Sequence, residues 1–104
     1  MKELTPLRAR KLQKFHRLDL VKVDVVSPYM QHFQTDFYGI VAYSYMEKFG
    51  GTSHDEYSII VLSKDLTKAI NQIAWYNEPD LTLSDKLTKE QVEKILEDLK
   101  WIDL

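Results

Sequence analysis

With 104 residues, a net charge of −2 and 29% charged against 44% hydrophobic side chains, the chain has the size and balance of one globular domain over residues 1–104, not of a disordered segment. It contains no cysteine, which excludes disulfides, thiolate-held zinc, iron–sulfur clusters and a cysteine nucleophile within it. The first residues lack the apolar stretch of a signal peptide, and no apolar run reaches the roughly 20 residues that a membrane helix needs; a soluble, cytoplasmic protein is the expectation.

Charge is placed unevenly. Residues 1–18 carry six basic side chains against one acid, a balance of +5, while the remainder carries eight against fifteen, a balance of −7. Thr5-Pro6 reads as a helix start, because Thr caps well and Pro at the first helical position gives up no bond it could have made. Up to about Arg17, the residues Leu4, Leu7, Leu12, Phe15 and Leu18 recur at roughly helical spacing, and the basic residues fill the other side. Residues 19–27 change period: Val21, Val23 and Val25 alternate with Lys22 and Asp24, which predicts a strand ended by Ser27-Pro28. Tyr29 to Thr35 has no clean period and reads as a loop or a single helical turn.

Asp36 to Glu47 reads as the strongest strand, and Tyr57 to Leu62 as a second. Between them Gly50-Gly51-Thr52-Ser53 has turn chemistry, so the two runs form a hairpin with a longer than minimal loop. Leu66, Ala69, Ile70, Ile73 and Ala74 step at helical spacing, with Ser63 or Asp65 as N-cap, and predict a helix ended by Asn77-Glu78-Pro79-Asp80. Leu81-Thr82-Leu83-Ser84 alternates weakly, as a short edge strand would. Thr88 with Gln91 has the spacing of a capping box, and Val92, Ile95, Leu96, Leu99 and Ile102 form the apolar stripe of a last helix.

The expected fold is therefore α+β: a three-stranded antiparallel sheet, with a short fourth strand in reserve, packed by two to three helices in the order α-β-β-β-α-(β)-α. That order resembles, in topology alone, small modules such as double-stranded-RNA-binding domains. Those carry a lysine-rich start to the helix after the third strand, whereas this chain has Ser63-Lys64-Asp65-Leu66-Thr67-Lys68, with an acid in the middle.

No segment names a reaction. His54, Asp55 and Glu56 are adjacent, so their side chains diverge, and nothing places His16 or His32 beside them; a wet turn is the simpler reading. Gly50-Gly51-Thr52-Ser53 lacks the Lys-Ser/Thr of a phosphate loop. Glu90, Glu93, Glu97 and Asp98 lie opposite the apolar stripe of the last helix and read as a solvated face. Trp75, Tyr76 and Trp101 read as plugs at the core ends, or as interface anchors. No catalytic residue, cofactor or metal site is assigned, and the protein is read as no enzyme.

Two binding surfaces remain. The basic side chains Arg8, Arg10, Lys11, Lys14 and Arg17 could contact phosphates of a nucleic acid, against the simpler reading of a solvated helix face. The hairpin strands are apolar on both sides, with Phe37, Val41, Tyr43 and Tyr45 assigned to one side and Tyr38, Ile40, Ala42 and Met46 to the other. A sheet wet on one face alternates apolar with polar, and this one does not. Either helices of the chain cover both sides or one side meets a partner. The expected function is a small interaction or regulatory protein that forms a homodimer, or meets another protein, through Phe37, Val41, Tyr43 and Tyr45; the alternative is a nucleic-acid-binding module.

Overall fold

In a computed structural model of the chain, residues 5–25 and 36–99 are described, without the side chains of Pro6, Asn71 and Gln72. The elements run α1 (Pro6–Leu12), β1 (Leu20–Val23), β2 (Phe37–Ser44), α2 (Tyr45–Phe49), β3 (Glu56–Leu62), β4 (Ala69–Asn77), a 3-10 turn (Glu78–Asp80), β5 (Leu81–Leu83) and α3 (Lys89–Glu97). The α+β class is as expected, but the sheet is larger. Among the described residues it has five antiparallel strands in the order β4-β3-β2-β1-β5.

The main correction concerns residues 66–77, where the helical spacing predicted a helix. Ala69–Asn77 is instead a nine-residue strand. Two isoleucines, Trp75 and Tyr76 favour a pleated surface, and pairing with β3 places Tyr76 beside Tyr57, Trp75 beside Ser58 and Ile73 beside Ile60. Upstream, Asp65 caps no helix. Its carboxylate accepts from the Ser63 hydroxyl at 2.7 Å and from the Thr67 hydroxyl and amide at 2.7 and 3.2 Å, which closes the β3–β4 turn. Leu66 sits there at φ 61°, a conformation no helix interior contains. With a strand in that place, the topological resemblance to double-stranded-RNA-binding domains no longer holds.

A second correction ends β2 early. Ser44 and Glu47 form a capping box, in which the Glu47 amide donates to the Ser44 hydroxyl at 3.0 Å and the Ser44 amide to the Glu47 carboxylate at 3.1 Å. Residues 45–49 therefore leave the sheet as α2, and Gly50 closes it at φ 81°. The remaining predicted elements hold with shifted ends: α1 stops at Leu12, β1 covers Leu20–Val23, β3 starts one residue earlier at Glu56, β5 is the reserve strand, and α3 follows Thr88 with the expected capping box. The predicted loop at 29–35 and Trp101 and Ile102 lie outside the described residues.

The sheet is apolar on both sides because both sides are covered. One cluster gathers Phe15, Val21, Val23, Phe37, Val41, Tyr57, Ile59, Val61, Tyr76 and Leu81; on the other side Leu20, Ile40, Ala42, Ile60 and Leu62 pack under Val92 and Ile95 of α3. Two close contacts tie the first side together. Phe15 meets the Tyr57 ring edge-on at 5.3 Å, and the buried Tyr57 hydroxyl accepts from the amides of Lys14 and Phe15 at 3.1 and 3.3 Å. Burial holds that phenol above the usual tyrosine range. At Gly39 the strands approach so closely that a Cβ would collide with the Ile59 side chain and stand 2.9 Å from the Ile60 carbonyl oxygen. Glycine is the residue that position accepts. The predicted stripe on α1 is only half used: Phe15 is buried, whereas Leu7 and Leu12 are exposed.

Candidate interaction surface

A β-bulge decides which aromatic side chains reach the surface. Val41 pairs with Ile59, but the next pair is Tyr43 with Ser58, so β2 carries one extra residue, Ala42. The strand's alternation slips by one there. Tyr43 is carried to the α3 side of the sheet, where it packs beside the cluster of Ile40 and Ala42. Phe37 and Val41 stay on the opposite side and are buried. The structure therefore does not assemble Phe37, Val41, Tyr43 and Tyr45 on one face. Phe37 and Val41 are core, and only Tyr45 of the four is exposed.

What the structure assembles instead begins at the Ser44 cap. The turn into α2 sets Tyr45 and Phe49 four residues apart on one side of a short helix, where such pairs meet. Trp75, on β4, reaches the same place. The Tyr45 and Phe49 rings lie 4.8 Å apart, and Trp75 stands 5.8 Å from Tyr45 and 6.0 Å from Phe49. Phe49 is 60% exposed and Tyr45 39%. Ile73, two residues before Trp75 and on the same side of β4, is 40% exposed. These four residues make one contiguous apolar patch along the β4 side of the sheet. The patch has a cationic border: Lys48 stands 5.0 Å and Arg17 4.9 Å from the Tyr43 ring centre, within reach of a cation–π contact.

The basic residues of the N-terminal segment are spread over helix and loop. Arg8, Arg10 and Lys11 belong to α1 and Lys14 and Arg17 to the segment after it, and all five are exposed. Lys14 lies 5.5 Å from its neighbour Phe15's ring centre, and Arg17 joins Tyr43. α1 is held to α2 through Gln13, whose side-chain amide donates to the Glu47 carboxylate at 3.0 Å and to the Phe15 carbonyl at 2.8 Å. Among the described residues the one ion pair joins Lys22 to Asp36; that hydrogen bond raises the lysine pKa and lowers the carboxylate's.

No grouping of three histidine or carboxylate side chains able to hold a metal occurs among the described residues. His54 is half-buried beside exposed Asp55, and its Nδ1 is enclosed without a hydrogen bond. The acids Glu90, Glu93 and Glu97 of α3 and Asp98, its C-cap, are exposed. No helix among the described residues is long and apolar enough to cross a membrane.

The sequence held a signal for part of the patch. Ser44-Tyr45-Met46-Glu47 has the Ser-x-x-Glu spacing of a capping box, and it places Tyr45 and Phe49 together. Trp75 had no such local signal, because its position follows from pairing with β3. No protein family, curated protein or solved structure compared with the chain matches it.

Proposed function

We propose that the chain is a non-enzymatic interaction protein that self-associates through the patch of Tyr45, Phe49, Trp75 and Ile73. The observation that carries this reading is a trio of aromatic rings packed on one another at 4.8–6.0 Å and still open to solvent, with Phe49 60% exposed. Aromatic side chains already ordered by their neighbours lose little entropy on binding, and such residues dominate interface energetics. Sedimentation tests the reading directly. The wild-type chain is expected to exceed its monomer mass of 12.3 kDa at micromolar concentration, and Phe49→Lys, a change at an exposed position, to return it to that mass. A wild-type monomer across the accessible concentrations would overturn it.

A second reading, nucleic-acid binding, rests on a different observation: Arg8, Arg10, Lys11 and Lys14 are exposed and join no ion pair among the described residues. Their charges are open to phosphate. Each phosphate contact steepens the salt dependence of binding by about 0.7–0.9 in log–log slope. Retention on single- or double-stranded nucleic acid at low salt, lost as salt rises and weakened by Arg8→Gln with Lys11→Gln, is the expected result. Absence of retention at low ionic strength eliminates it.

A further inference from the structure

Among the described residues the two edges of the sheet differ in a way that points to the seam itself. At one edge β5 is three residues long, a length that offers little to a pairing strand. At the other, β4 runs for nine residues, Ala69 to Asn77, with no charged residue and no proline among them. Natural sheets keep long edges from pairing with charges, prolines or brevity, and β4 has none of these.

Which of its backbone groups are open follows from the ladder. The Glu78 amide donates to the Asp55 carbonyl at 2.7 Å, and the register sets Tyr76 beside Tyr57 and Ala74 beside Ile59. In an antiparallel ladder bonded and non-bonded pairs alternate. Glu78, Tyr76 and Ala74 therefore turn their amides and carbonyls toward β3, and Asn77, Trp75 and Ile73 turn theirs outward. The irregularity of the β3–β4 pairing lies beyond this stretch, between Ile60 and Leu62, so Ile73 to Asn77 is regular.

We infer that β4 pairs antiparallel with β4 of a second copy of this chain, across a two-fold axis near Ile73, to make one continuous sheet across the two copies. A second copy is the occupant that fits, for two reasons. A two-fold seam sets each side chain against residues of the same strand, so any charge near its centre would face its own copy, and this strand has none. The axis also stands perpendicular to the sheet and keeps the same face of both copies on one side. Ile73 and Trp75 of both copies then form a single apolar strip, continuous with Tyr45 and Phe49 on either flank.

The inference rests on the self-association proposed above and specifies its geometry, and amide hydrogen exchange separates the two. Exchange is followed residue by residue at concentrations below and above the mid-point of association measured by sedimentation. The amides of Ala74 and Tyr76 are expected to be protected at both. Those of Ile73 and Trp75 are expected to exchange freely in the monomer and to slow at least tenfold in the dimer. If the chain dimerises and the Ile73 and Trp75 amides still exchange freely, the strand seam is wrong while self-association stands. If the chain is a monomer throughout, both fall.

Discussion

Ile60 and Ile73 face one another across the β3–β4 ladder, on the same side of the sheet, yet Ile60 is fully buried and Ile73 is 40% exposed. The same side chain has two environments one strand apart. From Tyr57 to Leu62 every residue of β3 is buried, because strands flank it on both edges and clusters cover both faces. Among the described residues β4 is flanked by a strand on one edge alone, and the cluster that Val92 and Ile95 of α3 form with the neighbouring strands does not include Ile73. Burial here is decided by position in the sheet, and residue type is a poor guide to it.

The largest expected effect breaks that pair apart. Ile60→Ala should lower unfolding free energy by about 2–5 kcal/mol, as deletions in a closed core do, whereas Ile73→Ala should cost under about 1 kcal/mol, since its side chain already meets water. Urea titration of both variants at a concentration where the chain is monomeric checks this. Equal losses would mean that β4 is covered in solution. The opposite pattern, a harmless Ile60→Ala, would contradict the packing under α3.

A smaller effect separates the two tyrosines that pair between the same strands. Tyr57 and Tyr76 are neighbours in register, and both are buried. The Tyr57 hydroxyl accepts two backbone amides of the segment after α1, so Tyr57→Phe leaves the amides of Lys14 and Phe15 without that acceptor. The expected loss is about 1–3 kcal/mol. Exchange of the Lys14 and Phe15 amides should rise with it, while the β2–β3 amides keep their order. A variant as stable as the parent, with those amides still protected, would show that the hydroxyl does not anchor this segment.

Legibility followed the range of the interaction. The last helix was readable because its cap, Thr88 with Gln91, and its apolar stripe are local. The hairpin strands were readable because β-branched and aromatic residues crowd them, and their coverage on both sides was one of the two outcomes that their pattern allowed. The side assignments failed beyond Val41, since a one-residue bulge at Ala42 reverses every side chain after it and leaves no mark in composition. The bulge moves Tyr43 off the side that alternation predicts, and the Ser44 cap takes Tyr45 out of the sheet. At residues 69–77 helical spacing misleads, because Ala69, Ile70, Ile73 and Ala74 match it and only the ladder with β3 overrides it. The patch of Tyr45, Phe49 and Trp75 joins residues 26–30 positions apart, beyond the reach of any local pattern.

The turn between the buried and the exposed strand supplies the smallest effect and the finest test. Asp65 has the acceptor chemistry of an N-cap, yet it serves a turn, because the groups it accepts from, Ser63 and Thr67, lie on both sides of it in the chain. The hydroxyls of Ser63 and Thr67, with the Thr67 amide, hold its pKa down to about 2 from an ordinary value of 3.8. A carboxyl whose folded pKa lies below its unfolded one stabilises the fold above the unfolded value and loses that contribution as pH falls toward the folded one. Asp65→Asn keeps an acceptor oxygen in place but removes the charge. The urea midpoint of Asp65→Asn should therefore lie below that of the parent at pH 6, and the gap should close between about pH 4 and pH 2. The shift will be modest, because Asp65 is exposed to solvent and water screens its charge. A gap that stays constant across those values would show that the turn is held by the shape of the side chain alone, and that the carboxylate's charge plays no part in turning β3 into β4.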